Sequence, residues 1–172
     1  MDFYSVLKAR HSVRSFGEKE VSDSQIEKII GSFMLAPSAG NLQAYKVYYT
    51  KNPAVKGDLA AACMGQESVE QASVVFVFLA DKQQASSKYG ERGYDFYSVQ
   101  DATIAAAYAQ LSVAAEGLGA VWVGAFDPLE VSRIIDAEPH AVPVAVLPVG
   151  YPAEEPGIRE RRPVKDIVKE VK

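Results

Sequence analysis

Residues 74–80 read Val-Val-Phe-Val-Phe-Leu-Ala, seven apolar residues with no polar one among them. A strand with one wet face alternates apolar and polar positions, so a run apolar on both faces predicts a strand buried between two layers. It is far short of the ~20 residues that would span a bilayer. Just upstream, the aromatic and β-branched stretch Tyr45–Thr50 predicts a second strand, and Asn52-Pro53 supplies a cap and a first-turn proline for a helix. Downstream, residues 81–98 are polar and glycine-interrupted and read as a lid-like connection with room for one helix. Asp101 then reads as the cap of a helix over Ala102–Glu116, closed by Gly117 and Gly119. Its many alanines let neighbours approach closely, which predicts a central, buried helix.

Farther out, Ala120–Phe126 predicts a strand, and Asp127-Pro128 with Glu130 opens another helix. Val142–Val149 predicts a strand whose Pro143 and Pro148 favour an edge position or the strand ends. Near the start, Phe3, Val6 and Leu7 stand at helical spacing, giving a short helix over 2–10 with a basic tip at Lys8 and Arg10. Ser22 and Gln25 form a capping-box pattern ahead of Ile26, Ile29, Ile30, Phe33 and Met34, and Pro37 ends that helix in a turn over Ser38–Asn41. Helices alternate with four or five strands, so the class is α+β or α/β.

The chain has 172 residues, 48% of them hydrophobic and 23% charged, which predicts one folded domain over residues 1–172. Cys63 is the lone cysteine, so no internal disulfide can form. With His11 and His140 it leaves too few soft ligands for a structural zinc site. The N-terminus lacks an apolar stretch of signal-peptide length, and a cytoplasmic, membrane-free protein is expected. Eighteen Lys and Arg against 22 Asp and Glu give a net charge of −4, poorly suited to non-specific nucleic-acid binding. Nucleophile-elbow, Walker-type phosphate-loop, zinc-protease and dinucleotide-fold motifs are missing, and no histidine–carboxylate pair stands out.

Two basic clusters remain against this acidic background: Arg10-His11-Ser12-Val13-Arg14 and Arg159-Glu160-Arg161-Arg162. Arginines two apart on an extended segment point to one side, where their forked donors can grip a phosphate, and Ser12 adds a hydroxyl. Taken singly, either cluster also reads as a solvated face.

Four segments in order carry a resemblance: Arg10–Phe16 (RHSVRSF), Ala36–Gln43 (APSAGNLQ), Gly117–Phe126 (GLGAVWVGAF) and Leu147–Pro152 (LPVGYP) with Arg159–Pro163 behind it. Together they resemble the short members of the nitroreductase family of flavin enzymes, across nearly the whole chain. The resemblance implies an α+β fold with a mixed sheet flanked by helices, in an intertwined homodimer whose sites lie at the subunit interface. It implies FMN held without a covalent bond. Arg10, His11, Ser12, Arg14, Arg159 and Arg161 would take its phosphate and ribityl side, and Pro37, Ser38 and Asn41 would reach it from the partner subunit. Gly124 and Ala125 would lie against the isoalloxazine ring, and Gln66 would face its pyrimidine edge.

The implied activity is transfer of hydride from NAD(P)H, by way of the flavin, to a flat acceptor such as a nitroaromatic or quinone. No protein nucleophile is needed, in keeping with the missing motifs. The same arginines would equally serve a sensory module that holds flavin or another phosphorylated ligand without turnover, or a specialised reaction of the family such as reductive dehalogenation. Two features depart from the family pattern. Ala44 precedes Tyr45 where a proline is common, and residues 81–98 are short where larger members insert helices over the substrate.

Overall fold

A computed structural model describes residues 1–155, 157 and 159–171. At its centre lies β2 (Val74–Asp81), every residue of which is buried. β1 (Tyr45–Thr50) flanks it on one side and β4 (Ala141–Gly150) on the other, with the two-residue β3 (Gly119–Ala120) beyond β4. The three ladders are antiparallel, and a parallel pairing enters through a bridge between Ser12 and Ala120.

Side chains alternate along a strand, so β2 feeds two cores at once. Val74, Phe76, Phe78 and Ala80 pack toward α2 (Asp23–Phe33) and α6 (Ser98–Ala115), while Val75, Val77 and Leu79 pack toward α3 (Pro53–Ala62), α4 (Glu67–Gln71) and α7 (Pro128–Ile134). A fully buried side chain of this kind contributes about 1.5–3 kcal/mol. One strand therefore binds both helical layers to the sheet. The capping signals at three helices act as expected: Ser22 and Gln25 form the capping box of α2, and Asn52 and Asp127 cap α3 and α7. Asp2, which the sequence reading did not single out, caps α1 (Phe3–Ala9).

Two local readings are corrected and a third is narrowed. Asp101 does not begin its helix. The chain is already helical before it, through α5 (Lys82–Arg92) and a π-helical turn over Gly93–Tyr97, so α6 starts at Ser98 and Asp101 sits inside it, buried. The strand expected over Ala120–Phe126 shortens to β3 plus one bridge between Val123 and Val146. Both pairings share one register, in which Val121 faces Pro148. Val123 and Val146 exchange both backbone bonds, so the next hydrogen-bonded position falls on Pro148, which has no N–H to give. β4, finally, is not at an edge, and of the two places its prolines favoured they take the other, each standing third from an end of the strand. It lies between β2 and β3, and its ladder with β2 shifts register between Phe78 and Leu79, which face Ala145 and Pro143. The shift accommodates one proline, and the broken side of the β3 ladder accommodates the other.

Candidate functional site

The N-terminal arginine segment is stitched along the open side of the sheet. Val13 N–H donates to the Ala120 carbonyl at 3.0 Å, Gly17 N–H to Tyr151 O at 2.9 Å, and Ala153 N–H to Ser15 O at 2.9 Å. Val13 and Phe16 point inward and are buried, which leaves Ser12 and Arg14 facing out. The fit depends on two glycines. A Cβ on Gly119 would stand 2.8 Å from the Cβ of Val13, and one on Gly150 would stand 2.9 Å from the ring of Phe16. Any other residue at either place would push the segment off the sheet.

The C-terminal arginines come to the same place. Arg10, His11, Ser12, Arg14, Arg159 and Arg161 line one cleft of about 380 Å³, together with Glu154 and Gly157. His11 Nδ1 lies 3.0 Å from the carbonyl of Ala9; a carbonyl only accepts, so Nδ1 carries the proton and the ring caps the end of α1. Glu154 had no role in the sequence reading. Its Oε1 accepts from the N–H of Arg14 at 2.6 Å and of Ser15 at 3.2 Å, so the chain's own carboxylate closes one wall of a strongly basic cleft. The one available signal was its place just ahead of Arg159.

Pro37, Ser38 and Asn41 are not among the residues lining that cleft. They belong to a separate loop with an unusual backbone: Gly40, Asn41 and Gln43 have φ of 57°, 58° and 49°. Buried Asp101 holds this loop from α6, its two carboxylate oxygens accepting from Ala39 N–H at 2.9 Å and Ala44 N–H at 3.4 Å. Ser38 Oγ accepts from Gln43 N–H at 2.9 Å, and Gln84 of α5 donates to the Leu42 carbonyl. Burial pushes the Asp101 carboxyl above the ordinary carboxylate range, against the opposing pull of the two N–H donors. The residue read as a helix cap is thus the anchor of the loop.

Gln66 and Ala125 meet, with Gln66 Nε2 donating to the Ala125 carbonyl at 3.3 Å. Gly124 and Ala125 are exposed, and their backbone N–H groups donate to no acceptor among the described residues. A Cβ on Gly124 would meet nothing nearer than 3.7 Å, so the glycine makes no room for this chain's own packing. Cys63 is fully buried, and burial raises its thiol to about 11, which leaves it inert. Among the described residues, no helix is long and apolar enough to cross a membrane.

The Nitroreductase family model matches residues 7–73 and 62–151. The chain belongs to this family. An NADH dehydrogenase of Thermus thermophilus is 29% identical over 195 residues, covering 98% of this chain and 95% of that protein. An NADPH-dependent FMN reductase of Bacillus subtilis is 28% identical over 172 residues, covering 92% of this chain and 69% of its own length. Among solved structures, a nitroreductase family protein of Streptococcus pneumoniae superposes with a TM-score of 0.90 at 22% identity, covering 99% of this chain and all of that one.

Proposed function

We propose that this nitroreductase-family chain is an FMN-dependent NAD(P)H oxidoreductase, acting in the cytoplasm as a homodimer with its sites at the subunit interface. The observation that carries the reading is the meeting of Arg10 and Arg14 with Arg159 and Arg161 in one cleft, from opposite ends of the chain. Guanidinium forks, the Ser12 hydroxyl and space of about 380 Å³ suit a phosphate monoester with a polar tail. The N–H groups of Gly124 and Ala125, which donate to no acceptor among the described residues, suit the edge of a flat ring on which negative charge develops. The donor set therefore fits FMN.

In this reading Arg10, Arg14, Arg159 and Arg161 hold the phosphate, with His11 and Ser12 beside it. Gly124 and Ala125 turn fixed backbone dipoles toward the ring, and Gln66, which donates to the Ala125 carbonyl, stands beside them to face its pyrimidine edge. Pro37, Ser38 and Asn41, which do not line the cleft of their own chain, serve the partner's site. Apolar surface supports a second copy: Phe3 and Tyr4 of α1 are 63% and 72% exposed, and Ile167, Val168 and Val171 stand out from the tail. Bound FMN supplies two-electron hydride chemistry. The net reaction consumes NAD(P)H, a proton and a quinone and yields NAD(P)⁺ and the quinol; a nitro group yields the nitroso compound and water. The protein's part is to position and polarise, which needs no titrating side chain.

Purified protein is expected to be yellow, to run as a dimer by light scattering, and to bleach with NADH or NADPH under anaerobic conditions. Menadione or a nitroaromatic should then sustain NAD(P)H consumption over many turnovers. Protein that takes up no FMN contradicts the reading. A single reduction without turnover would make it a sensor.

A further inference from the structure

Beside the Asp101-held loop stands a group of rings and cations that the proposed chemistry has not used. α5 turns at Gly90 and runs into the π-helical turn, where Gly93 packs too closely on the Ala85 carbonyl to carry a side chain. π turns recur at functional sites because they re-aim side chains out of the helical repeat. Here the turn stacks Arg92 over Phe96 and Tyr97, its guanidinium carbon 5.2 Å from each ring centre, and Arg92 Nε donates to the Tyr97 hydroxyl at 2.9 Å. Tyr97 meets Tyr89 edge-on at 5.1 Å, and Lys88 Nζ lies 5.4 Å from the Tyr89 ring. Lys88 and Tyr89 reach over the loop to Gly40, where any side chain would collide with both.

Among the described residues no carboxylate lies within 4.0 Å of Lys88 or Arg92, although Glu91 and Asp95 belong to the same stretch. The two rings, with centres 6.0 Å apart, lie to one side of the Arg92 guanidinium and Tyr97 takes Nε, while the terminal nitrogens donate to no acceptor among the described residues, which leaves the fork free in the geometry that matches a carboxylate. Phe96 remains 46% exposed beside it.

We propose that this cluster selects the acceptor, and that the preferred acceptor is an aromatic molecule bearing a negative charge. Its ring packs against Tyr89, Phe96 and Tyr97, and its carboxylate or equivalent anion meets Lys88 and Arg92. The proposal rests on the reading that the loop carrying Asn41 borders the flavin, since that loop is what places the cluster beside the reacting ring. A neutral acceptor would be served by the rings alone and would leave both cations idle.

The test pairs two acceptors of nearly equal shape, 4-nitrobenzoate and the neutral 4-nitrobenzamide, on the flavin-loaded protein. kcat/KM is expected to favour the acid by about tenfold at low salt, chiefly through KM, and the advantage should shrink as salt screens it. In Lys88→Gln/Arg92→Gln the ratio falls to near one, while Arg92→Lys, which keeps the charge, retains most of it. Benzoate cannot be reduced, so its dissociation constant by calorimetry is a second readout, expected to rise about tenfold in the double variant. Equal kcat/KM for acid and amide in the unaltered protein overturns the proposal, as does an acid preference that survives the double substitution. If flavin-loaded protein turns over menadione but ignores acceptor charge, only this proposal falls. If it turns over no acceptor at all, the oxidoreductase reading falls and takes this one with it.

Discussion

The arginine cleft and the loop over residues 37–44 are built in opposite ways. The cleft rests on backbone pairing: Val13, Ser15 and Gly17 bond to the sheet and to the segment after β4, with Val13 and Phe16 as pegs in the core. The loop meets the ladder only at its last residue, where the Ala44 carbonyl accepts from Asp81 N–H at 3.0 Å. Its shape comes from residues held at positive φ and from one carboxylate that reaches out of a helix far along the chain. A site built on pairing derives its geometry from the fold itself, so a surface substitution there should change binding and little else. A site built on one buried anchor should lose stability and shape together.

The largest effect should come from breaking the pairing. In Gly119→Leu the new side chain displaces Val13 and carries the whole arginine segment with it. FMN affinity is expected to fall more than a hundredfold in a fluorescence titration, with a loss of roughly 1–3 kcal/mol or more in urea unfolding from overpacking. Gly31→Ala, in open space on α2, is the control and should stabilise by up to about 1 kcal/mol. Next comes Arg161→Ala. Its side chain is exposed, so the melting temperature should hardly move, while FMN binding weakens about 10- to 100-fold through loss of a charge-assisted contact. An arginine variant that bound FMN as tightly as before would contradict the assignment of the cleft.

Asp101→Ala tests the other region. It strands the N–H groups of Ala39 and Ala44, at about 1–3 kcal/mol, and should speed hydrogen exchange at both amides while the arginine cleft is undisturbed. The pH dependence has a definite sign. Because burial raises the Asp101 carboxyl, the folded state holds that proton more tightly than the unfolded chain does. The stability this confers is complete below the ordinary carboxylate range and is lost as pH rises through the raised folded value. Asp101→Asn should remove that part of the slope in an acid-to-neutral unfolding series; an unchanged slope would mean that another carboxyl governs it.

The same contrast explains what could be read in the chain beforehand. Val74–Ala80 announced the central strand because burial on both faces leaves its mark on every residue of the run. Arg10, Ser12 and Arg14 were legible because alternation is a local property and their charges stand out from an acidic background. Asp101 was misread because an acid before an alanine-rich stretch is the ordinary sign of a cap, and nothing local reveals that the helix has already begun at Ser98. Asn41 and Gln43 adopt positive φ because Asp101 and Ser38 hold the backbone there, an influence that sequence neighbours do not record. The strand predicted over Ala120–Phe126 stopped early because of Pro148, a residue in another strand.

Glu154 offers the finest probe of the paired region, because two of its properties pull in opposite directions. Its oxygen fixes the Arg14 and Ser15 amides, which helps to shape the cleft, and its charge occupies a space lined by guanidinium groups. An incoming phosphate gains from the first and is repelled by the second. Glu154→Gln keeps an amide oxygen for the two N–H donors and removes the charge, so FMN should bind several-fold more tightly at low ionic strength. Two unit charges a few ångströms apart near a surface interact by about 1–4 kcal/mol, and solvent screening reduces this, so a modest gain is the reasonable scale. Glu154→Ala removes both properties and should bind FMN less well than Glu154→Gln. The gap between the two variants measures how much of the cleft's shape the carboxylate holds. If Glu154→Gln instead binds FMN more weakly than the unaltered protein, the charge belongs to the architecture, and the cleft depends on a single anchoring side chain as much as the loop depends on Asp101.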